Sequence, residues 1–215
     1  MAKLSPYVII LHGLVRSPRA MVTLSRALEK QGYNVINQGY PSRQHSVESL
    51  AKMAIGAALK KCPEDVDIHF VTHSLGGILV RQYLSEFAIP NLKRVVMLGP
   101  PNKGSEVVDK LAGLPGFKLV NGVAGLQLGT DAASVPNKLG AAEFELGVIA
   151  GTKSVNWMLS LLIPSTDDGK VSVDSTKLEG MKDHIEMPVT HPFMMSDKKV
   201  IAQVIGFLET GQFER

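Results

Sequence analysis

Ser74 stands in the stretch Thr72-His73-Ser74-Leu75-Gly76-Gly77, behind an apolar run and ahead of a glycine pair. A serine hydroxyl reacts poorly until a base takes its proton. The chain offers six histidines as bases: His12, His45, His69, His73, His184 and His191. His12 lies in the turn LHGL (11–14), and His45 precedes a helix-like segment where solvent is expected around it. His69 falls inside a strand-like run, where a satisfied core histidine is the ordinary case. His73 adjoins Ser74 and, by strand alternation, is expected to point away from it. His184 opens a strand, a position expected to be exposed. His191, in PVTHPFMM, follows an apolar strand and is the candidate base.

An imidazole base works best when a carboxylate fixes its tautomer and steadies the imidazolium. The stretch STDDGKVSVDST (165–176) offers Asp167, Asp168 and Asp174. Asp168 precedes Gly169 in a turn and is preferred, with Asp167 as the competitor. Asp174 is expected to open or cap a local turn. The order Ser, Asp, His along the chain fits a triad carried on successive strand ends.

Such a triad needs elements that bring its parts together. The run YVIIL (7–11) is continuous, apolar and β-branched, which marks a strand buried on both faces. Further strands are expected at 34–38, 68–73, 94–98, 146–150 and 185–189. Helical spacing of apolar residues predicts helices at 18–30, 46–61, 76–87 and 198–208. In the second of these, Leu50, Met53, Ala54, Ala57 and Ala58 are expected on the apolar side. The alternation predicts an α/β fold: a six-stranded, mostly parallel sheet with helices on both faces. The rhythm breaks at 100–145, a Gly-, Pro- and Asn-rich stretch expected to form a cap or lid on a single domain spanning 1–215.

In a parallel sheet, ligands gather at the carboxyl ends of the strands. A strand that turns at a serine into a glycine-led helix is a nucleophile elbow, and Ser74 and His191 both fall at such ends. The usual elbow reads G-x-S-x-G; here Thr72 replaces the first glycine, which predicts a looser approach of helix to strand. Acyl transfer through this elbow needs two backbone N–H groups for the tetrahedral oxyanion, and losing one costs about 3 kcal/mol. The amides of Leu75, after the nucleophile, and Leu14, after the HG turn, are the candidates. Gly13 is expected to supply the freedom of that turn.

Bulk properties narrow the alternatives. The chain has 215 residues, is 45% hydrophobic and 20% charged, and has a formal net charge of +3. These values fit a globular chain and exclude wholesale disorder. Lysines and arginines cluster at most in pairs, so no nucleic-acid partner is expected. Weak attraction to an anionic membrane surface stays open. Cys62 is the only cysteine, so neither a disulfide nor a cysteine zinc site can form within the chain. No segment reaches a membrane span, and no secretory signal is evident, which predicts a cytoplasmic protein. The triad itself requires no metal or organic cofactor.

On LHGL (11–14), THSLGG (72–77), DDGKVSV (167–173) and PVTH (188–191), the chain resembles α/β-hydrolases, and among them small bacterial lipases and esterases. The GPPNKGS stretch (99–105) is similar to the lipase segment from which a cap often starts. The resemblance spans nearly the whole chain. It implies a Ser-His-Asp serine hydrolase, with the acid in a D-D-G turn, which favours Asp168. It also implies a trimmed sheet lacking two strands of larger relatives. No charged cluster points to an acidic substrate, so a small-molecule or lipid ester with an apolar acyl group is expected. Trp157, in VNWMLSLLIP (155–164), and Met194, just past His191, are candidates to line its pocket.

Overall fold

The computed structural model describes residues 5–154, 163 and 165–215. Trp157 and most of the apolar stretch around it lie outside the described residues. The core is one six-stranded sheet: β1 (Tyr7–Leu11), β2 (Asn34–Gln38), β3 (Ile68–His73), β4 (Leu92–Leu98), β5 (Glu145–Gly151) and β6 (Asp183–Met187). The strand order is β2-β1-β3-β4-β5-β6 and every neighbouring pair is parallel. β6 begins and ends two residues before the expected 185–189 strand. Pro188 has no N–H to give the ladder, which explains the early stop.

Period-two alternation splits the apolar residues into two cores. On one face Ile9, Leu11, Phe70, Val95 and Met97 pack under α2 (Val47–Leu59) and α3 (Leu75–Leu84). On the other, Val8, Ile10, Val71, Val96 and Leu98 meet the helices Val22–Lys30 (α1) and Lys198–Thr210. Both faces are covered, so β1 and β3 read as unbroken apolar runs. Ser46 caps α2 and Asp197 caps the last helix through N–H groups of their first turns. Met53 departs from expectation: it is 47% exposed, because a helix places only one stripe against the sheet.

Between β4 and β5 the chain leaves the sheet and forms α4 (Glu106–Leu111), α5 (Phe117–Leu126) and α6 (Val135–Lys138). Among the described residues the remaining α-helices are α7 (Val173–Thr176) and the C-terminal one, α8 (Lys198–Thr210). Among the described residues no helix is long and apolar enough to cross a membrane.

The strand order reverses at β1, which lies between β2 and β3. Such a switch point leaves a crevice at the carboxyl ends. Leu11 pairs with Thr72, so the turn after β1 and the turn after β3 emerge side by side.

Candidate active site

β3 ends at His73 and α3 begins at Leu75, which leaves one residue, Ser74, to make the turn. Its φ is 52° and ψ is −119°, a strained conformation for a residue with a side chain. The turn closes because α3 passes against β1. A Cβ on Gly76 would stand 2.7 Å from the carbonyl oxygen of Leu11. Thr72 is not among the nearest atoms of that approach, so the first position of the elbow has room for a β-branched residue. Gly13 has a different reason from the one expected. A Cβ there would meet Nδ1 of His73 at 2.8 Å and Cβ of Ser74 at 3.2 Å, so close approach, not turn freedom, requires glycine.

The left-handed residue of the first turn is instead Val15, at φ 57°. A β-branched residue is unfavourable there. The surroundings hold it: Val15 N–H donates to Ser42 Oγ at 3.1 Å, and the Tyr40 hydroxyl donates to the His12 carbonyl. The His12 ring stacks on Tyr40, with centroids 4.2 Å apart. Burial pushes the Tyr40 phenol far up, so it remains a donor. Between these ties lies Leu14. Neither its amide nor that of Leu75 donates to a protein acceptor among the described residues.

His191 and Asp168 meet as a buried pair. His191 Nδ1 donates to Asp168 Oδ2 at 2.6 Å, and both side chains are almost wholly buried. The other carboxylate oxygen accepts from the N–H groups of Lys170 at 3.0 Å and Val171 at 2.9 Å. The His191 N–H donates to the Asp168 carbonyl at 2.9 Å. Gly99, at φ +53°, passes so close that a Cβ would lie 2.9 Å from Asp168 Oδ2. Asp167 turns elsewhere: its Oδ1 accepts from Gly169 N–H at 2.6 Å. Asp174 lies in the first turn of α7, which Ser172 rather than Asp174 caps, and pairs with Lys177 at 2.8 Å.

With Nδ1 committed as donor, the neutral His191 ring keeps a lone pair at Nε2. Ser74 and His191 line one cavity of about 90 Å³. No hydrogen bond joins Ser74 Oγ to His191 among the described residues; such bonds often tighten only when substrate is bound. Much of the cavity wall is apolar, from Leu14, Val107, Val108, Phe117, Leu128 and Val171, with Ser105, Asn121, Arg16 and Lys170 also on it.

Several expectations fail here for tertiary reasons. His73 does not leave the site. Its ring lies 4.6 Å from the His191 ring, because the loop after β6 crosses the end of β3 on that side. His73 Nε2 lies 3.0 Å from the His191 carbonyl, which can only accept, so Nε2 carries the proton. Nδ1 is then a buried acceptor without a partner. Desolvation, then the neighbouring His191, holds the His73 imidazole well below its ordinary value. It stays neutral beside the candidate base. Met194 does not line the pocket: it is fully buried in the core with Met187 and Val200. His69 is not a satisfied core residue, since its Nδ1 is buried without a partner. His184 is half-buried and lies 3.0 Å from Thr176 Oγ1. His45 is exposed as expected.

Sequence reasoning missed Tyr40, Ser42 and Gly99, and it also missed Arg81. Arg81 is buried on α3 and donates to the carbonyls of Asn102, Pro136 and Gly140, each at 2.9 Å. Desolvation lowers its guanidinium to about 10. The one available signal was an arginine inside the apolar helix sequence LGGILVRQYL. A larger cleft of about 700 Å³ lies among Phe87, Leu92, Phe144 and Glu145, at the opposite, amino ends of β4 and β5.

No protein-family model matches the sequence, and a search of curated proteins returns no match. Solved structures do match. The mature Bacillus licheniformis lipase BlEst2 superposes with a TM-score of 0.75 at 18% identity, over 97% of this chain and 92% of that one. The match covers 51% of the same lipase in its propeptide form. A metagenomic carboxyl esterase gives 0.66 at 16% identity, over 89% of this chain and 66% of the other. A pyrethroid hydrolase from Sphingobium faniae gives 0.63 at 12% identity, over 96% and 98%. At these identities the likeness is one of fold: the chain has the α/β-hydrolase fold.

Proposed function

We propose that this α/β-hydrolase-fold protein is a serine hydrolase of carboxylic esters. One observation carries the reading: a strained Ser74 shares a small cavity with an imidazole whose other nitrogen is bound to a buried carboxylate. A structural serine gains nothing from a positive φ, and strain of this kind is retained where it aims a side chain.

In the proposed reaction His191 takes the Ser74 proton as Oγ attacks the ester carbonyl. The N–H groups of Leu14 and Leu75 receive the oxyanion; the second sits at a helix N-terminus, where the dipole helps. His191 then protonates the leaving alcohol. Water, activated by the same nitrogen, releases the acid and frees Ser74. Asp168 orients His191 throughout. His73 donates to the His191 backbone and stays neutral, so it adds no charge next to the imidazolium.

The apolar wall supports an apolar acyl group. We read residues 100–145 as a cap over it, since Val107, Val108, Phe117 and Leu128 all come from that segment. The test has two parts. A fluorophosphonate should label the native protein at Ser74 and fail on Ser74→Ala. A panel of oxygen esters of graded acyl length, with matched thioesters and amides, should show oxygen-ester turnover. Absence of both label and turnover on a folded sample would reject the reading; faster thioester or amide turnover would redirect it.

A further inference from the structure

The cavity has a mouth of unexpected charge. Arg16 follows the turn that carries Leu14, and Lys170 follows the turn that carries Asp168. They are 154 positions apart in sequence, and both line the Ser74 cavity. Each belongs to a loop of the candidate machinery. Arg16 N–H donates to the Gly13 carbonyl, and Lys170 N–H donates to Asp168. Neither side chain forms an ion pair among the described residues. Of the carboxylates nearby, the two that bear on this opening have other partners, although Glu106 Oε2 is itself buried without one. Asp168 is held by His191, and Glu106 accepts from Ser172 and Ser175.

Lys170 is exposed by surface area. Yet enough protein surrounds its ammonium that desolvation, then the charge of Arg16, draws it below the ordinary lysine value. Both cations also act on His73 at the cavity wall. Two solvated surface cations would simply move apart. These two rise from loop backbones that Ser42, Tyr40 and Asp168 hold in place, so both charges stay tethered to the one opening that they line. An anion between them removes that cost and gains charge-assisted hydrogen bonds.

We propose that the ester accepted here carries an anionic group, a carboxylate or a phosphate, on its alcohol portion, held at the mouth by Arg16 and Lys170. The alcohol side follows from the wall: the interior is apolar and suits the acyl chain, so the charge faces outward. This rests on the ester-hydrolase reading above and narrows its substrate class.

The experiment uses one acyl group on three small alcohols: ethylene glycol, glycolate, and the monophosphate of ethylene glycol. The first is neutral, the second offers a carboxylate and the third a phosphate. In wild type, kcat/KM for one or both anionic esters should exceed that of the neutral ester by about 10-fold. The larger ratio identifies the anion. Arg16→Gln and Lys170→Gln should each shrink the ratio, and the double variant should bring it near one. Salt should shrink it as well. A ratio of one or less for both anions overturns the proposal. So does a ratio that survives the double substitution, which would mean that the cations serve the oxyanion or the surface. Calorimetric binding of the same three esters to Ser74→Ala supplies a second readout that needs no turnover. There the anionic esters should bind about 10-fold tighter, again through Arg16 and Lys170. Equal affinities overturn the proposal even if wild type is an active esterase. Tighter anion binding with no turnover or label would reject the hydrolase reading instead.

Discussion

The strand ends bearing Ser74, Asp168 and His191, and the helical segment between β4 and β5, face the same cavity but are held in different ways. At the strand ends each group is over-determined. Asp168 accepts three hydrogen bonds through its carboxylate and a fourth through its carbonyl. Ser74 is strained and yet fixed by the contact of α3 with β1. The helices α4 and α5 above are packed more thinly. α4 has no buried residue, and α5 buries only Gly122, Ala124 and Gly125. Leu119 is 84% exposed. The segment is tied down by polar bonds, Arg81 to three carbonyls, Asn102 Nδ2 to the Thr176 carbonyl, Ser105 Oγ to the Lys170 carbonyl and Gln127 to Glu48, and by a few apolar anchors, Ala124, Leu128 and Ala142, that join the core. Reacting atoms need placement to a fraction of an ångström. A wall for a hydrocarbon chain needs only shape. A few directional ties therefore suffice for it, and it can change without disturbing the chemistry.

That contrast can be broken by substitution. Ser74→Ala should lower ester turnover by about 10⁴-fold or more while the protein stays folded; retention of even a tenth of the rate would remove Ser74 from the chemistry. Next comes the acid. Asp168→Asn should cost about 10⁴-fold in kcat, by analogy with triads whose acid is neutralised, and Asp167→Asn only a few-fold. A larger loss at Asp167 would mean that the 2.6 Å pair with His191 is not the working one.

Arg81→Met probes the other region. It leaves the carbonyls of Asn102, Pro136 and Gly140 buried without a donor, which should cost about 3 kcal/mol in denaturant unfolding. If the segment is a separable wall, acyl-length preference should shift more than the rate on the shortest ester. An equal collapse on all chain lengths would show the two regions to be one unit.

His69 gives a pH dependence of stability apart from either region. Burial, then the charge of Arg94, lowers its imidazole to about 4 in the folded state. Unfolded, it titrates near its ordinary value of 6.5. The unfolded chain therefore binds more protons between those values. Stability should be full above about 6.5 and fall toward pH 4, by as much as about 3 kcal/mol. His69→Gln should flatten that slope, read from unfolding curves at several pH values. The smallest effect is expected at the exposed apolar face: Leu119→Ser should change stability by no more than about 0.5 kcal/mol. A loss several times larger would mean that this face is covered.

What the sequence alone determined was the frame and the residues proposed to react. β1, β2 and β3 begin and end at the expected residues because their apolar runs are local signals, bounded by local stops. The elbow at Ser74 was legible for the same reason: a serine pinned between strand and glycine pair leaves few backbone choices. His191 followed from its place after a strand in a parallel sheet. The tertiary structure decided what depends on direction and distance. Asp167 and Asp168 have the same chemistry one residue apart, and only the turn closed by Asp168 N–H to the Val171 carbonyl aims one of them at His191. Met194 lies close to His191 in sequence yet faces the core, and His73 meets His191 only because the loop after β6 reaches back past β5 and β4 to the end of β3. Arg16 and Lys170 read as scattered surface charge until the loops after β1 and β5 bring them to one opening. Periodicity is a short-range property of the chain, whereas the convergence of side chains depends on where distant backbone segments happen to cross.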